Sequence, residues 1–129
     1  GDVYKRQAAA AVKLGANGFH CNKLGIRDGV LDGTVTGPEE NGGKIVDSDG
    51  KRHIVEQLAA ERGIPACDVI TMGDGWNDVK MLEYAGLGIA YHAKPRVRAL
   101  IPHQINSLGL DSALNWFADG PYWAERAGV

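Results

Sequence analysis

The chain has 129 residues, with 14 Lys and Arg against 16 Asp and Glu, for a formal net charge of −2. That length suffices for one small domain with a hydrophobic core. Charges of both signs are mixed, which excludes a basic face for nucleic acid and an acidic tail, and the longest weakly polar stretch, Tyr84 to Ala93, is too short to cross a bilayer.

The first seven residues, Gly-Asp-Val-Tyr-Lys-Arg-Gln, differ in character from the Ala-rich run after them and carry no secretory signal. They resemble translated adapter sequence and are read as a non-native leader, outside the fold. Finding the heptapeptide in frame within a longer gene would remove that reading. Residues 8–118 form the expected domain, and 119–129 a tail with little pattern. Cys21 and Cys67 lack Cys-x-x-Cys spacing and a partnering His. They read as reduced, buried thiols of a cytoplasmic protein.

Gln7 to Leu14 is Ala-rich and reads as the last turns of a helix, stopped by Gly15. Gly18 to Cys21 is a candidate short strand. Residues 23–37 read as a hairpin, with Leu24 and Ile26 alternating on one arm, Asp28-Gly29 at the turn, and Val30 to Val35 returning. Gly37 to Gly43 is a polar loop. Lys51 to Arg62 is an amphipathic helix with Ile54, Val55, Leu58 and Ala59 on one stripe, closed by Gly63 and Pro65. Leu87 to Tyr91 and Gln104 to Ser107 are candidate strands, and Lys94 to Arg98 is a basic turn or short helix. Leu110 to Ala118 reads as a helix with Leu110, Leu114 and Phe117 on one side. Strands alternating with helices indicate a parallel α/β sheet.

The stretch that organises the chain is Val69-Ile70-Thr71-Met72-Gly73-Asp74-Gly75-Trp76-Asn77-Asp78. An apolar run consistent with a strand buried on both faces stops at a Gly-Asp-Gly turn. Asn77 or Asp78 can cap the helix after it, whose apolar side is Val79, Met81, Leu82 and Ala85, and Gly86 is a natural stop. Asp74 is presented at the carboxyl end of the strand, where open α/β sheets hold ligands. Oxygen-bearing side chains grouped at such a corner suit Mg²⁺, which keeps several waters and substrate phosphate oxygens around it. A lone Asp-Gly would read as a turn; the whole Gly-Asp-Gly-x-Asn-Asp after a strand reads as a site.

Asp47-Ser48-Asp49-Gly50 is a competing acidic cluster. The apolar run before it, Ile45-Val46, is too short for a central strand. The spacing of Asp47, Asp49 and Lys51 starts like a calcium loop, but Leu58 stands where the closing Glu belongs. The cluster therefore reads as a helix cap. Lys51 lies at the start of that helix, where the macrodipole disfavours a cation; phosphate binding and a solvated surface position both remain open. Lys94, Arg96 and Arg98 read as a solvated basic turn rather than anion contacts. His92 and His103 are isolated, and neither is assigned a metal. Trp76 either shields the site or packs.

Gly73-Asp74-Gly75-Trp76-Asn77-Asp78 with Met81-Leu82, then Ala85-Gly86-Leu87-Gly88-Ile89-Ala90-Tyr91-His92-Ala93-Lys94-Pro95, resembles the C-terminal part of the phosphoserine phosphatase family within the haloacid dehalogenase-like superfamily. Ile45-Val46-Asp47 with Lys51 resembles the segment bearing that family's lysine. The hairpin and Gln104 to Phe117 also match, so the resemblance covers about residues 11 to 118. It implies a Rossmann-like three-layer α/β/α core. It implies that Asp74 is a Mg²⁺ ligand, that Lys51 holds the phosphoryl group and balances the carboxylates, and that Asn77 contacts phosphate or nucleophile. It also implies that Asp78, counted with Lys51 among the catalytic residues, supports the site from behind by orienting Lys51 and the metal. The implied reaction is hydrolysis of phosphoserine, a small phosphorylated substrate of serine biosynthesis, through an aspartyl-phosphate.

Two motifs of that family are missing: the Asp-x-Asp pair that provides the nucleophile, and the Ser or Thr ahead of the first helix. The cap segment between them is missing too. The chain therefore reads as a C-terminal portion, inactive alone, with an open sheet edge and a tendency to associate. The rivals are a sugar phosphatase of the same superfamily, a P-type cation pump, which would require membrane helices, and a non-catalytic binding fragment.

Overall fold

The computed structural model describes residues 2–117, and contacts divide the chain into two units, Gly1–Gly63 and Ile64–Val129. Expectations for Ala118 and for the tail fall outside the described residues.

In the first unit, α1 spans Asp2–Leu14, so Gln7 to Leu14 are the last turns of a helix that begins inside the heptapeptide. Gly18 to Cys21 is not a strand. A strand exists through its partners, and the described sheets pair only other segments. The hairpin forms as expected: β1 (Lys23–Arg27) pairs antiparallel with β2 (Val30–Thr36). Asp28 and Gly29 take φ of 51° and 80°, the positive values that a two-residue turn with the right twist demands. The register shifts between Leu24 and Ile26. There, the Asp32 carboxylate folds back to accept the Thr34 N–H at 2.8 Å and hydroxyl at 2.6 Å.

The helix α2 covers Ser48–Glu61, three residues earlier than the apolar stripe suggests. Asp47 is its N-cap, and its Oδ1 accepts the Gly50 N–H at 2.8 Å. That satisfies a donor the first turn would otherwise leave open, and it makes the acidic cluster a cap. Ile54 and Ala59 are buried, while Val55 and Leu58 are half-buried.

The second unit is an α/β layer structure. β3 (Ile70–Gly73) leads through a 3-10 turn, Trp76–Asp78, into α3 (Val79–Tyr84). Next come β4 (Leu87–Tyr91), α4 (Pro95–Arg98) and β5 (His103–Ile105). The sheet order is β3-β4-β5, parallel throughout, with Ile70 opposite Leu87 and Ile89 opposite His103. Alternation along β4 sends its residues to two cores. Ala90 joins Val79, Leu82, Ala93, Val97 and Ile101 on the side of α3 and α4. Ile89 joins Ile105 and Ala113, with Met72, Leu87 and Tyr91 against them, on the side of the 3-10 segment Leu110–Trp116. Helical structure covers both faces, which gives the expected Rossmann-like three-layer α/β/α arrangement around a parallel sheet.

Four expectations need correction. β3 is only partly buried: Thr71 is 7% and Ile70 43% exposed, and among the described residues β3 lies at the edge of its sheet, as the missing upstream strand leads one to expect. Gly86 is not a left-handed helix stop. α3 already ends at Tyr84, and Gly86 is needed for close approach, because a Cβ there would lie 2.0 Å from the Cys67 carbonyl oxygen. The segment after Gly109 is a 3-10 helix that buries Ala113, leaving Leu110, Leu114 and Phe117 exposed. Neither cysteine is buried: Cys21 is half-buried, and Cys67 is exposed in the surface turn Ala66–Asp68.

Candidate functional site

The corner after β3 is shaped by Asp78. This residue is only 5% exposed, and its Oδ2 accepts the backbone N–H groups of Asp74 at 3.1 Å and Gly75 at 3.0 Å. A carboxylate bonded to two amides makes charge-assisted contacts that fix the turn. Gly73 permits the approach, since a Cβ there would lie 2.5 Å from the Asp78 Cβ. The same carboxylate explains why Asp78 stands at the N-cap of α3 without a side-chain cap bond, for its acceptor is used by the residues before it. On the far side of the turn, the Lys94 N–H donates to the Asp74 carbonyl at 3.2 Å.

With its backbone held from both directions, Asp74 has an exposed side chain at the carboxyl end of β3. Asn77 is exposed in the adjoining 3-10 turn. The structure thus brings Asp74, Asn77 and Asp78 together at one strand end, with Asp78 turned to the backbone. Lys51 belongs to the first unit. It lies half-buried in the first turn of α2, its N–H donating to the Asp47 carbonyl at 2.9 Å.

Trp76 is 53% exposed, so it does not serve the core. Its ring instead carries the Arg96 guanidinium, whose Cζ lies 4.6 Å from the ring centroid. The basic turn is therefore not merely solvated. The backbone of Lys94 and the side chain of Arg96 both reach the Asp74 loop. Neither contact has a sequence signal, because each depends on the loops after two neighbouring strands meeting at the sheet edge. His92 takes a left-handed φ of 44° and its Nε2 lies 2.8 Å from the Leu108 carbonyl. His103 meets Trp116 edge-on at 5.9 Å.

Among the described residues, no group of three or more His, Cys, Asp and Glu is arranged to hold a metal. The exposed Asp74 carboxylate nevertheless fits Mg²⁺, which is bound by one or two carboxylates with the rest of its shell from water and phosphate. Asp78, engaged by two amides, would hold the loop and not the ion.

A parallel α/β/α sheet that displays a hard-oxygen donor at a strand's carboxyl end defines a class of proteins that handle ligands at the sheet edge. Residues 33–112 match the family of haloacid dehalogenase-like hydrolases, and the chain belongs to that family. It is 41% identical over 102 residues to the phosphoserine phosphatase of Streptomyces coelicolor, covering 79% of this chain and 23% of that one. A haloacid dehalogenase-family hydrolase from Salmonella enterica serovar Typhi superposes with a TM-score of 0.76 at 36% identity, covering 88% of this chain and 37% of the other. A substrate-bound phosphoserine phosphatase complex superposes with a TM-score of 0.75 at 32% identity, covering 86% of this chain and 50% of that one. The chain spans less than half the length of the curated relatives it matches. No helix among the described residues is long and apolar enough to cross a membrane.

Proposed function

We propose that the chain carries the C-terminal part of the site of a Mg²⁺-dependent phosphoserine phosphatase, acting in serine biosynthesis. The observation that supports this most is the division of labour at the β3 corner, where one carboxylate is turned inward onto two amides and its neighbour outward. Asp74 would ligate Mg²⁺, which, when bound, neutralises charge on the phosphoryl oxygens. Asn77 would donate to the phosphate or the nucleophile. Lys51 would hold the phosphoryl group and offset the negative charge gathered around it. Asp78 would keep the Asp74 turn in shape. The aspartate that attacks phosphorus in this reaction has no counterpart in these residues, so the chain by itself is inactive.

The test is an assay with two proteins. The 129-residue chain should not release phosphate from phosphoserine. The same chain joined to the N-terminal segment of a phosphoserine phosphatase should do so, and only with Mg²⁺. Turnover by the chain alone would refute the assignment of the nucleophile, and a preference of the joined enzyme for sugar phosphates would refute the substrate.

A further inference from the structure

The Asp74 turn lies next to two glycines, so little in its own backbone fixes where the carboxylate points. Two bonds from Asp78 Oδ2 hold the amides of residues 74 and 75, and one from the Lys94 N–H holds the carbonyl of residue 74. Between Asp74 and Asn77 stands Trp76, an apolar ring left 53% exposed. An exposed indole at a strand end needs something to fix it, and the Arg96 guanidinium over its face supplies that. Indole is the best ring partner for a cation, and a stacked guanidinium keeps its planar N–H fork unspent.

We propose that Arg96, acting through Trp76, is a positioning residue that sets the aim of the Asp74 carboxylate and the Asn77 amide. The ring ties the 3-10 turn to α4, so the segment bearing both side chains is clamped at its start by Lys94 and in its middle by Arg96. The part of this inference that concerns Mg²⁺ rests on the function proposed above; the part that concerns the turn does not.

The experiment uses the ¹⁵N-labelled 129-residue chain as wild type, Arg96→Ala, Trp76→Ala, the double variant and Arg96→Lys. Exchange of the Asp74 and Gly75 amides is compared with that of the Ile89 and Ala90 amides in β4. Either alanine variant should speed exchange at 74 and 75 by about two- to fivefold, the worth of an exposed cation–π contact, with β4 unchanged. The double variant should equal the singles, because both remove one contact, and Arg96→Lys should restore part of the protection. Wild-type exchange in Arg96→Ala, additive effects, or an equal rise in β4 would overturn the brace. Mg²⁺ is then titrated against the same amide shifts. The midpoint should rise in Arg96→Ala by the same factor, while Asp74→Asn abolishes the response. An unchanged midpoint in Arg96→Ala beside an abolished response in Asp74→Asn overturns the aiming role. A response that survives Asp74→Asn overturns the metal assignment instead, and exchange alone then decides the brace.

Discussion

The Oδ2 atom of Asp78 lies 3.0 Å from the amide nitrogen of Gly75 and accepts its hydrogen bond. The same oxygen takes the amide of Asp74. One buried carboxylate thereby holds the two amides that follow β3, while the neighbouring Asp74 side chain is exposed. The two acidic residues of the motif are chemically alike and differ in burial and in these bonds.

Replacing Asp78 by Ala leaves two amide donors without their acceptor, one of them on the buried Gly75. Unsatisfied buried donors of this kind destabilise by about 1–3 kcal/mol each. Asp78→Ala should therefore lower the urea midpoint of the chain strongly, and Asp78→Asn, which keeps an acceptor oxygen, should lower it less. Equal stability of all three would show that the turn holds itself.

Asp74 and Lys51 predict the opposite pattern. The exposed Asp74 side chain carries none of the turn's backbone bonds, so Asp74→Asn should change stability by no more than about 0.5 kcal/mol. Lys51 sits where the α2 macrodipole disfavours a cation, and Lys51→Gln should likewise stay within about 0.5 kcal/mol of wild type. In the joined enzyme both substitutions should lower phosphoserine turnover at least about a hundredfold, the worth of a few kcal/mol of transition-state charge stabilisation. Near-normal rates would make Asp74 a turn residue and Lys51 a surface one.

Gly86 gives a prediction that belongs to the fold. A methyl group there would press on the Cys67 carbonyl, a backbone atom that cannot swing aside. Gly86→Ala should destabilise by about 1–3 kcal/mol, as overpacking does. A thermal melt with an unchanged midpoint would show that the turn before β3 yields freely.

How much of this chain is legible in its sequence depends on the range of the forces involved. The hairpin is legible because Asp28-Gly29 encodes its own turn, and the β3 corner because strand, glycines and helix are contiguous. Gly86 misleads because its meaning lies in a contact with Cys67, remote in sequence, while its position just past a helix imitates a stop signal. Leu110, Leu114 and Phe117 mislead because they suit a period of 3.6, whereas the segment winds with a period of three and buries the small Ala113. Arg96 on Trp76 is invisible in the same way, since two loops must first be set side by side by β3 and β4. Of the site, the outward Asp74 and the inward Asp78 share one motif; residue type and spacing do not separate them, the family resemblance does, and the structure adds burial and hydrogen bonds that turn one inward.

The hairpin carries a pH prediction. The Thr34 hydroxyl, and then the Thr34 N–H, hold the Asp32 carboxyl below its ordinary value by stabilising the charged form. A pKa depressed in the folded hairpin means that the bulge gains stability above the ordinary carboxylate pKa and loses it as pH falls through the lower, folded value. The Asp32 carboxyl carbon, followed by NMR, should titrate below the range of an unstructured aspartate. Thr34→Val removes the hydroxyl and keeps the branched shape that β2 favours, so it should move the titration back toward that range. The register around Leu24 and Ile26 should loosen in acid in the wild type and be less sensitive to acid in the variant. An Asp32 titration at the ordinary value in both proteins would mean that the carboxylate does not close the bulge in solution.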